Sequence, residues 1–258
     1  MQYAAKSTKS WINWGRWKLK ANPDSVEIAK KNAALVAVKH VKDGNIVGLG
    51  SGTTIAYAIE ALGERVKKEN LKVLGVPSSY QAFALAVQNK IPVTTLEEHP
   101  VIDVNIDGAD QIDPKLNLIK GMGAALTREK IVAAASKLNI IIADEKKRVK
   151  ILGENNHPVP IEVLTFAIAP VTLAIGKLGG KATLRETKGK LGPVISDNGN
   201  PIMDVTFGAI TDAAKLNQQL KMIPGVIETG LFVNLADMAY LGTTTGTEKL
   251  QTARKQTF

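Results

Sequence analysis

Short apolar runs alternate with segments in which apolar residues recur at helical spacing between residues 24 and 150. The apolar runs predict strands over 45–49, 71–76, 101–106 and 139–143. The periodic segments predict helices over 24–40, 53–68, 80–89 and 124–138. When strands and helices alternate strictly, each helix serves as a crossover between parallel strands. This part of the chain therefore predicts an α/β fold with a Rossmann-like, mostly parallel sheet.

The pattern changes after Lys150. Residues 153–160 are rich in polar residues and proline, which is typical of a linker. Beyond them we predict strand 161–166, helix 170–178, strand 181–187, a hairpin turn at 197–200, helix 213–222 and strand 226–232. The Asn198-Gly199 pair favours the hairpin turn, because both residues tolerate positive φ. This order is the β-α-β-β-α-β arrangement of a ferredoxin-like unit.

A further strand predicted over 231–242 would return the chain to the main sheet. We therefore expect the smaller ferredoxin-like α+β domain, residues 153–228, to be inserted in the Rossmann-like domain. The latter would comprise residues 24–152 plus 229–258, and residues 1–23 would form an extension of unknown role.

Composition narrows the class of protein. A hydrophobic fraction of 45% in 258 residues is enough for a packed core. The chain contains no cysteine, which excludes disulfides and thiolate nucleophiles, and its three histidines are scattered, which disfavours a metal cluster. No apolar stretch reaches the roughly 18 residues of a membrane span, and no secretory signal is evident. We expect a soluble cytoplasmic protein.

The basic charge is concentrated at the N-terminus. Residues 1–23 contain five lysines and arginines, no acid and all three tryptophans, so the remaining chain carries only +4 of the net +9. Basic residues interleaved with aromatics can indicate contact with nucleic acid or a membrane surface. We favour a loosely ordered extension, either packed on a neighbouring subunit or arising from an upstream start, because the segment is short and has no motif.

The run from Asp107 to Lys130 carries the candidate chemistry. Asp107 and Asp110 follow a predicted strand, Lys120 begins a glycine-flanked turn, and Glu129 falls on the next helix. Acids and bases at the carboxyl ends of strands are what an open α/β sheet uses for catalysis. Each also has a plain structural interpretation, as a helix-capping aspartate, a turn residue or a solvated glutamate.

The segment Gly50-Ser51-Gly52-Thr53-Thr54 lies between a predicted strand and a predicted helix. Free amides at a helix N-terminus, together with hydroxyl groups, favour an anion. The segment lacks the lysine of a Walker loop and the third glycine of a dinucleotide fingerprint. It therefore indicates a monophosphate site, with a simple helix-capping turn as the alternative.

Six segments of the chain carry a resemblance to a known family. They are GLGSGTT at 48–54, DGADQID at 107–113, KGMGAALTREK at 120–130, IIIADEKKRVKILG at 140–153, SDNGNPIMDV at 196–205 and IPGVIETGLF at 223–232. In sequence and order they resemble ribose-5-phosphate isomerase of type A, over roughly residues 24–245. The extension 1–23 has no counterpart in the resemblance.

The resemblance implies an aldose–ketose isomerase of the non-oxidative pentose phosphate pathway. It would interconvert D-ribose 5-phosphate and D-ribulose 5-phosphate through an enediolate, without metal or other cofactor, as a homodimer or homotetramer. The implied catalytic residues are Glu129 as the proton-transferring base, Lys120 beside the developing negative charge, Asp107 for ring opening and Asp110 for orienting hydroxyls.

The resemblance also implies a set of substrate-binding residues. They are Ser51, Gly52, Thr53, Thr54, Gly108, Ala109, Gly121, Met122, Gly123, Lys147 and Lys30. Met122 stands where the family often has glycine, so the local φ must suit a side chain.

Two other classes of protein share this general architecture. A sugar-phosphate sensor in a transcription regulator would need a DNA-binding unit of several dozen residues, and 23 residues are too few. An amino-sugar phosphate deaminase has no matching motif in the chain. We therefore expect a sugar-phosphate partner and neither membrane nor nucleic-acid binding.

Overall fold

The computed structural model describes residues 24–251 of the chain. The helices are α1 Ser25–Ala37, α2 Thr53–Glu69, α3 Tyr80–Gln88, α4 Leu126–Ala134, α5 Ile168–Lys177 and α6 Ala213–Lys221. The strands are β1 Ile46–Leu49, β2 Leu74–Pro77, β3 Ile102–Gly108, β4 Gln111–Ile112, β5 Leu118–Ile119, β6 Ser136–Asp144, β7 Val159–Val163, β8 Lys181–Leu184, β9 Glu186–Thr187, β10 Lys190–Pro193, β11 Ile202–Thr206, β12 Val226–Thr229, β13 Leu231–Phe232, β14 Met238–Gly242 and β15 Thr247–Gln251. The predicted basic extension 1–23 lies outside the described residues.

The main sheet has the strand order β15-β14-β6-β3-β1-β2. Its strands pair in parallel except for β15, which pairs antiparallel with β14 at the edge. Ile140 and Ile142 of β6 belong to the hydrophobic core on one face of the sheet, and Ile141 belongs to the core on the other. A strand buried on both faces is typical of a parallel sheet. The predicted Rossmann-like sheet is confirmed.

Helix α1 packs closely on β14 and β6. Asp24 caps its N-terminus by accepting from the backbone N–H groups of Val26 and Glu27. The buried face of the helix consists of alanines, which allow a close approach. A Cβ on Gly242 of β14 would lie 1.8 Å from the carbonyl oxygen of Ala29. The close packing of α1 on β14 therefore requires glycine at position 242.

The small sheet has the order β12-β7-β11-β8 and is antiparallel throughout. Helices α5 and α6 share its hydrophobic core. This is the strand order expected of the predicted ferredoxin-like unit, and the predicted turn at 197–200 is present, with Gly199 at φ +84°. The domain boundaries at 152/153 and 228/229 stay a prediction.

The predicted helix over 124–138 is too long. Helix α4 ends at Ala134, and Ser136 already pairs with Ile102 as the first residue of β6. Ser136 Oγ donates to the carbonyl oxygen of Val132 at 2.6 Å, which closes the last turn of the helix. Pairing with β3 therefore competes successfully with a helical pattern whose apolar spacing continues for several more residues.

The predicted strands over 226–232 and 231–242 are also wrong in their bounds. The strand is interrupted at Gly230. Strand β13, which follows, pairs with β5 and, with β4, forms a separate three-stranded sheet. A Cβ on Gly230 would lie 2.3 Å from the carbonyl oxygen of Lys120. The interruption therefore allows the backbone at Gly230 to contact the backbone at Lys120. Of the predicted strand 231–242, only β14 belongs to the main sheet. Strands of two residues, such as β4 and β5, are too short to show a period.

Within residues 24–251, no helix is long and apolar enough to cross a membrane.

We expect Gly242→Ala to lower the free energy of unfolding by about 1–3 kcal/mol, because the new methyl group overlaps backbone that cannot move independently. Gly176→Ala in α5 is the matched control, since a Cβ there meets nothing within 4 Å. That change should raise the stability by about 0.5–1 kcal/mol. Urea denaturation followed by circular dichroism measures both. Equal midpoints for Gly242→Ala and the unaltered protein would contradict the close packing of α1.

Candidate active site

The parallel strands β1, β3 and β6 are neighbours in the main sheet, so their carboxyl ends lie side by side. They bring together the Ser51–Thr54 loop, the segment beginning at Asp107, and Asp144. The short strand β5 and the turn after it add Lys120 and lead into α4, which carries Glu129. A cavity of about 520 Å³ opens at the carboxyl ends of these strands.

Most of the residues proposed from the sequence line this cavity. They are Lys30, Ser51, Gly52, Thr53, Thr54, Gly108, Ala109, Asp110, Lys120, Gly121, Gly123, Glu129 and Lys147. Asp107 and Met122 do not line it. Asp107 is buried behind the cavity, where its carboxylate contacts Lys120 and the backbone N–H groups of Gly108 and Ser51. The side chain of Met122 is 43% exposed.

Met122 takes part in the site through its backbone. Its N–H donates to Asp110 Oδ2 at 3.1 Å, and its carbonyl oxygen accepts from Arg185 Nη1 at 3.0 Å. The φ angle of Met122 is not positive, whereas Gly121 has φ +107°. A side chain is therefore accommodated at this position without backbone strain.

Lys120 is the centre of a buried charge cluster. Its Nζ lies 3.1 Å from Asp107 Oδ2 and 3.2 Å from Glu129 Oε2, and it donates to the carbonyl oxygen of Gly108 at 2.8 Å. The three residues are only 1–4% exposed. Asp107 Oδ2 and Glu129 Oε2 are in ion-pair contact with Lys120, yet no described hydrogen-bond donor is aligned on either atom. Glu129, which lines the cavity, is thus able to accept from a ligand.

Burial and mutual repulsion set the protonation of this cluster. Burial raises the pKa of Glu129 to about 8, and the negative charge of Asp107 adds to the effect while Lys120 opposes it. Burial likewise raises the pKa of Asp107. Burial alone would lower the pKa of Lys120, but the carboxylates of Asp107, Glu129 and Asp110 outweigh it and raise the pKa. Lys120 therefore stays charged, and Glu129 exchanges its proton near neutral pH.

Gly50 permits the approach of Asp107. A Cβ on Gly50 would lie 2.0 Å from Asp107 Oδ1. That oxygen accepts from the backbone N–H groups of Gly108 at 2.7 Å and Ser51 at 3.2 Å. The first glycine of the loop thus serves the acidic residue beneath it rather than an anion in the cavity.

The loop that follows Gly50 leads into α2. Gly52 has φ +105° and supplies no capping side chain to the helix. Its own N–H donates to Gln81 Oε1, and Ser51 Oγ is bonded to Ser78 and Ser79. The first-turn N–H groups at Thr53 and Thr54 have no partner within a helix. Together with the hydroxyl groups of these threonines, they offer an anion site.

Two lysines bring positive charge to the same cavity. Lys30 projects from α1 and is paired with Glu27 Oε1 at 2.8 Å, and Lys147 lies just after β6. Within residues 24–251, no group of three or more potential metal-ligating side chains is found.

Sequence reasoning missed several cavity residues, namely Gln111, Asp144, Lys146, Glu154, Asn155 and His157. Asp144 ends β6 just as Asp107 lies near the end of β3, so the strand-end rule would have found it. His157 lies in the segment interpreted as a linker, where no pattern marks it. Its Nε2 is buried without a hydrogen-bond partner in the described chain, and burial lowers its pKa.

Comparison with known proteins assigns this arrangement to a family. The family model "Ribose 5-phosphate isomerase A (phosphoriboisomerase A)" matches residues 74–246. The chain is 49% identical over 222 residues to ribose-5-phosphate isomerase A of Methanothermobacter thermautotrophicus, covering 86% of this chain and 97% of that protein. The chain belongs to the ribose 5-phosphate isomerase A family. The resemblance found in the sequence is confirmed.

Other family members extend the match. The human ribose-5-phosphate isomerase is 45% identical over 228 residues, covering 87% of this chain and 73% of the human protein. The solved ribose 5-phosphate isomerase A of Methanocaldococcus jannaschii superposes with a TM-score of 0.84 at 44% identity, over 88% of this chain and 99% of that one. A D-ribose-5-phosphate isomerase in complex with phospho-erythronic acid gives 0.86 at 45% identity, over 89% and 100%. Membership of this family favours an isomerase over the sensor and deaminase alternatives.

We expect Lys120→Met to destabilise the protein increasingly as pH rises. Without the ammonium, the pKa values of Asp107 and Glu129 in the folded state rise further above those of the unfolded chain, near 4. The unaltered folded protein already holds the Glu129 proton up to about pH 8. The additional loss in the variant therefore grows as pH rises through that value, where the unaltered protein releases the proton and the variant still holds it. The loss should approach roughly 3–5 kcal/mol above that pH.

Lys137→Met is the control for this experiment, because Lys137 pairs with Asp103 in a surface contact and is 63% exposed. That change should cost no more than about 1 kcal/mol. Denaturation of both variants at several pH values measures the effect. A loss in Lys120→Met that does not grow with pH would show that the ammonium does not compensate the buried carboxylates.

Proposed function

We propose that this chain interconverts D-ribose 5-phosphate and D-ribulose 5-phosphate, with Glu129 as the base that moves a proton between C2 and C1. The observation that carries the proposal is the placement of the Glu129 carboxyl. It is buried 3.2 Å from a lysine ammonium in a cavity that also contains the anion site at Thr53 and Thr54. The homologue solved with phospho-erythronic acid, a phosphorylated sugar acid, supports a sugar phosphate as ligand.

The reaction moves a carbonyl group between adjacent carbons. A proton leaves C2 of the aldose, an enediolate forms, and a proton returns to C1. One carboxylate placed between the two carbons performs both transfers, and no electrons are exchanged with a cofactor. Because burial raises the pKa of Glu129 to about 8, its carboxylate is a stronger base than an exposed glutamate.

Lys120 stabilises the negative charge that develops on the substrate oxygen. Its ammonium is fixed by Asp107, by the carbonyl oxygen of Gly108 and by the ring of Phe232, whose centroid lies 5.3 Å away. A charge held in place before the reaction needs no reorganisation when the enediolate forms. The same ammonium faces Glu129, so base and electrophile address the same pair of carbons.

Ring opening is assigned to Asp107 together with Lys120. Asp107 does not line the cavity, and its Oδ2 meets Lys120 at 3.1 Å. A proton that Asp107 exchanges with a ring oxygen would therefore pass through the lysine that both contact. Asp110 lines the cavity and accepts from the N–H of Met122. In the proposal it orients the sugar hydroxyls.

The phosphate end fixes the carbon chain. Ser51, Gly52, Thr53 and Thr54 would bind the phosphate, with Lys30 and Lys147 supplying charge. Gly108, Ala109, Gly121 and Gly123 would contact the sugar through backbone groups, and Met122, which does not line the cavity, would hold Asp110 through its N–H. Anchoring the far end of a five-carbon chain restricts the approach of C1 and C2 to Glu129.

We also propose that the enzyme works in the cytoplasm as a homodimer or homotetramer. The absence of cysteine from the sequence is compatible with a reducing compartment. Phe166, Leu173 and Met222, on or beside α5 and α6, are 100%, 71% and 76% exposed. Large apolar side chains with this exposure are candidates for burial against another subunit.

Glu129→Gln should lower kcat by at least about a hundredfold, because the amide cannot accept the C2 proton. The fold should persist, and ribose 5-phosphate should still raise the melting temperature of the variant, since the phosphate loop is unchanged. Formation of the ketose from ribose 5-phosphate measures turnover. Glu60→Gln, at an exposed position of α2 outside the cavity, is the control and should match the unaltered enzyme. Near-normal turnover by Glu129→Gln would place the base elsewhere.

A further inference from the structure

The turn Ser196–Asn200 closes around a buried carboxylate that the proposed reaction does not use. Glu162 of β7 is 0% exposed. Its Oε1 accepts from Ser196 Oγ at 2.8 Å and from Asn200 Nδ2 at 2.8 Å, and Asn198 Nδ2 lies 3.2 and 3.3 Å from its two oxygens. The SDNGN motif noted in the sequence therefore forms a set of donors around one carboxylate.

A further donor to Glu162 comes from the helix that carries the proposed base. Thr127 Oγ1 donates to Glu162 Oε2 at 2.6 Å. Among the ion pairs found in residues 24–251, none involves Glu162. A buried carboxylate without a cation is tolerated only when its oxygens are satisfied by hydrogen bonds. The position of the Thr127 hydroxyl is thus strongly constrained.

The residues on either side of Glu129 also form hydrogen bonds with the small sheet and its turn. Arg128 Nε donates to Asn198 Oδ1 at 2.7 Å, and Arg128 Nη2 donates to the carbonyl oxygen of Asp197 at 2.9 Å. Lys130 Nζ donates to Glu228 Oε1 at 2.8 Å and to the carbonyl oxygen of Thr229 at 2.7 Å. Glu129 alone within Thr127–Lys130 contacts the charge cluster of the main domain.

The N-terminus of α4 lacks a side-chain cap in the described part of the chain. Its N-cap residue is Ala125, which supplies no capping hydrogen bond. The first turn of the helix would normally be held by such a cap. Here the bonds from Thr127 and Arg128 to the small sheet take over that task.

We propose that Glu162 is a positioning residue. Acting through Thr127, it fixes the first turn of α4 and so holds the Glu129 carboxylate against the carbons between which the proton moves. This inference rests on the proposed function, in which Glu129 is the base. A base displaced by about 1 Å can lose a hundredfold in rate while substrate binding is retained.

Thr127→Val tests the inference directly, because valine has the shape of threonine and removes only the hydroxyl. We expect kcat to fall at least about tenfold, with KM within about twofold, since the phosphate loop is untouched. Thr127→Ser, which restores the donor, should recover most of the lost kcat. Glu162→Met, which removes both acceptor oxygens with little change in side-chain volume, should reproduce the kcat loss of Thr127→Val. Normal kcat in Thr127→Val would overturn the inference.

Two further comparisons separate positioning from general loosening and from failure of the proposed function. Val205→Ala removes buried side-chain volume from the same small sheet without touching α4, and should lower stability but leave kcat near normal. An equal kcat loss there would overturn the inference. In a Glu129→Gln background, Thr127→Val should cause no additional loss, and a further tenfold loss would show that Thr127 does not act through Glu129. If Glu129→Gln itself were active, the proposed function would fail independently of Glu162.

Discussion

The site depends on one buried ammonium group placed between two carboxyl groups. Lys120 reaches Asp107 and Glu129 at 3.1 and 3.2 Å, and the three side chains are only 2–5% exposed. Two carboxylates this close would repel each other and would not both ionise without the cation. The same arrangement gives Glu129 a raised pKa beside a fixed positive charge, and both are properties that the proposed base requires.

The backbone around this cluster is shaped to admit it. Gly50 leaves room for Asp107, and Gly230 leaves room for the backbone of Lys120, at positions where a Cβ would come within 2.0–2.3 Å of those residues. The small sheet then completes the arrangement from the other side, through contacts with Thr127, Arg128 and Lys130 of α4. The buried carboxyl group of Glu129 is thus held by elements from two parts of the fold.

Periodicity alone predicted the parallel sheet and the ferredoxin-like unit, because strand and helix periods extend over many residues. It failed where sheet pairing decided the outcome, as at Ser136–Leu138, which continue a helical pattern but belong to β6. The strand-end rule located Asp107 and Asp110. Glu129 looked like a solvated helical residue, since the groups that bury it come from distant parts of the chain, and only family resemblance singled it out. Glu162 escaped both approaches, because its partners lie 34–38 residues away.

The protonation of Glu129 is the central physical claim, and a direct titration tests it. Nuclear magnetic resonance of protein labelled with carbon-13 at the glutamate side-chain carboxyl follows each glutamate separately, and the signal absent from Glu129→Gln identifies the residue. We expect this carboxyl to titrate near pH 8. Titration at the ordinary glutamate value of 4.5 would contradict it.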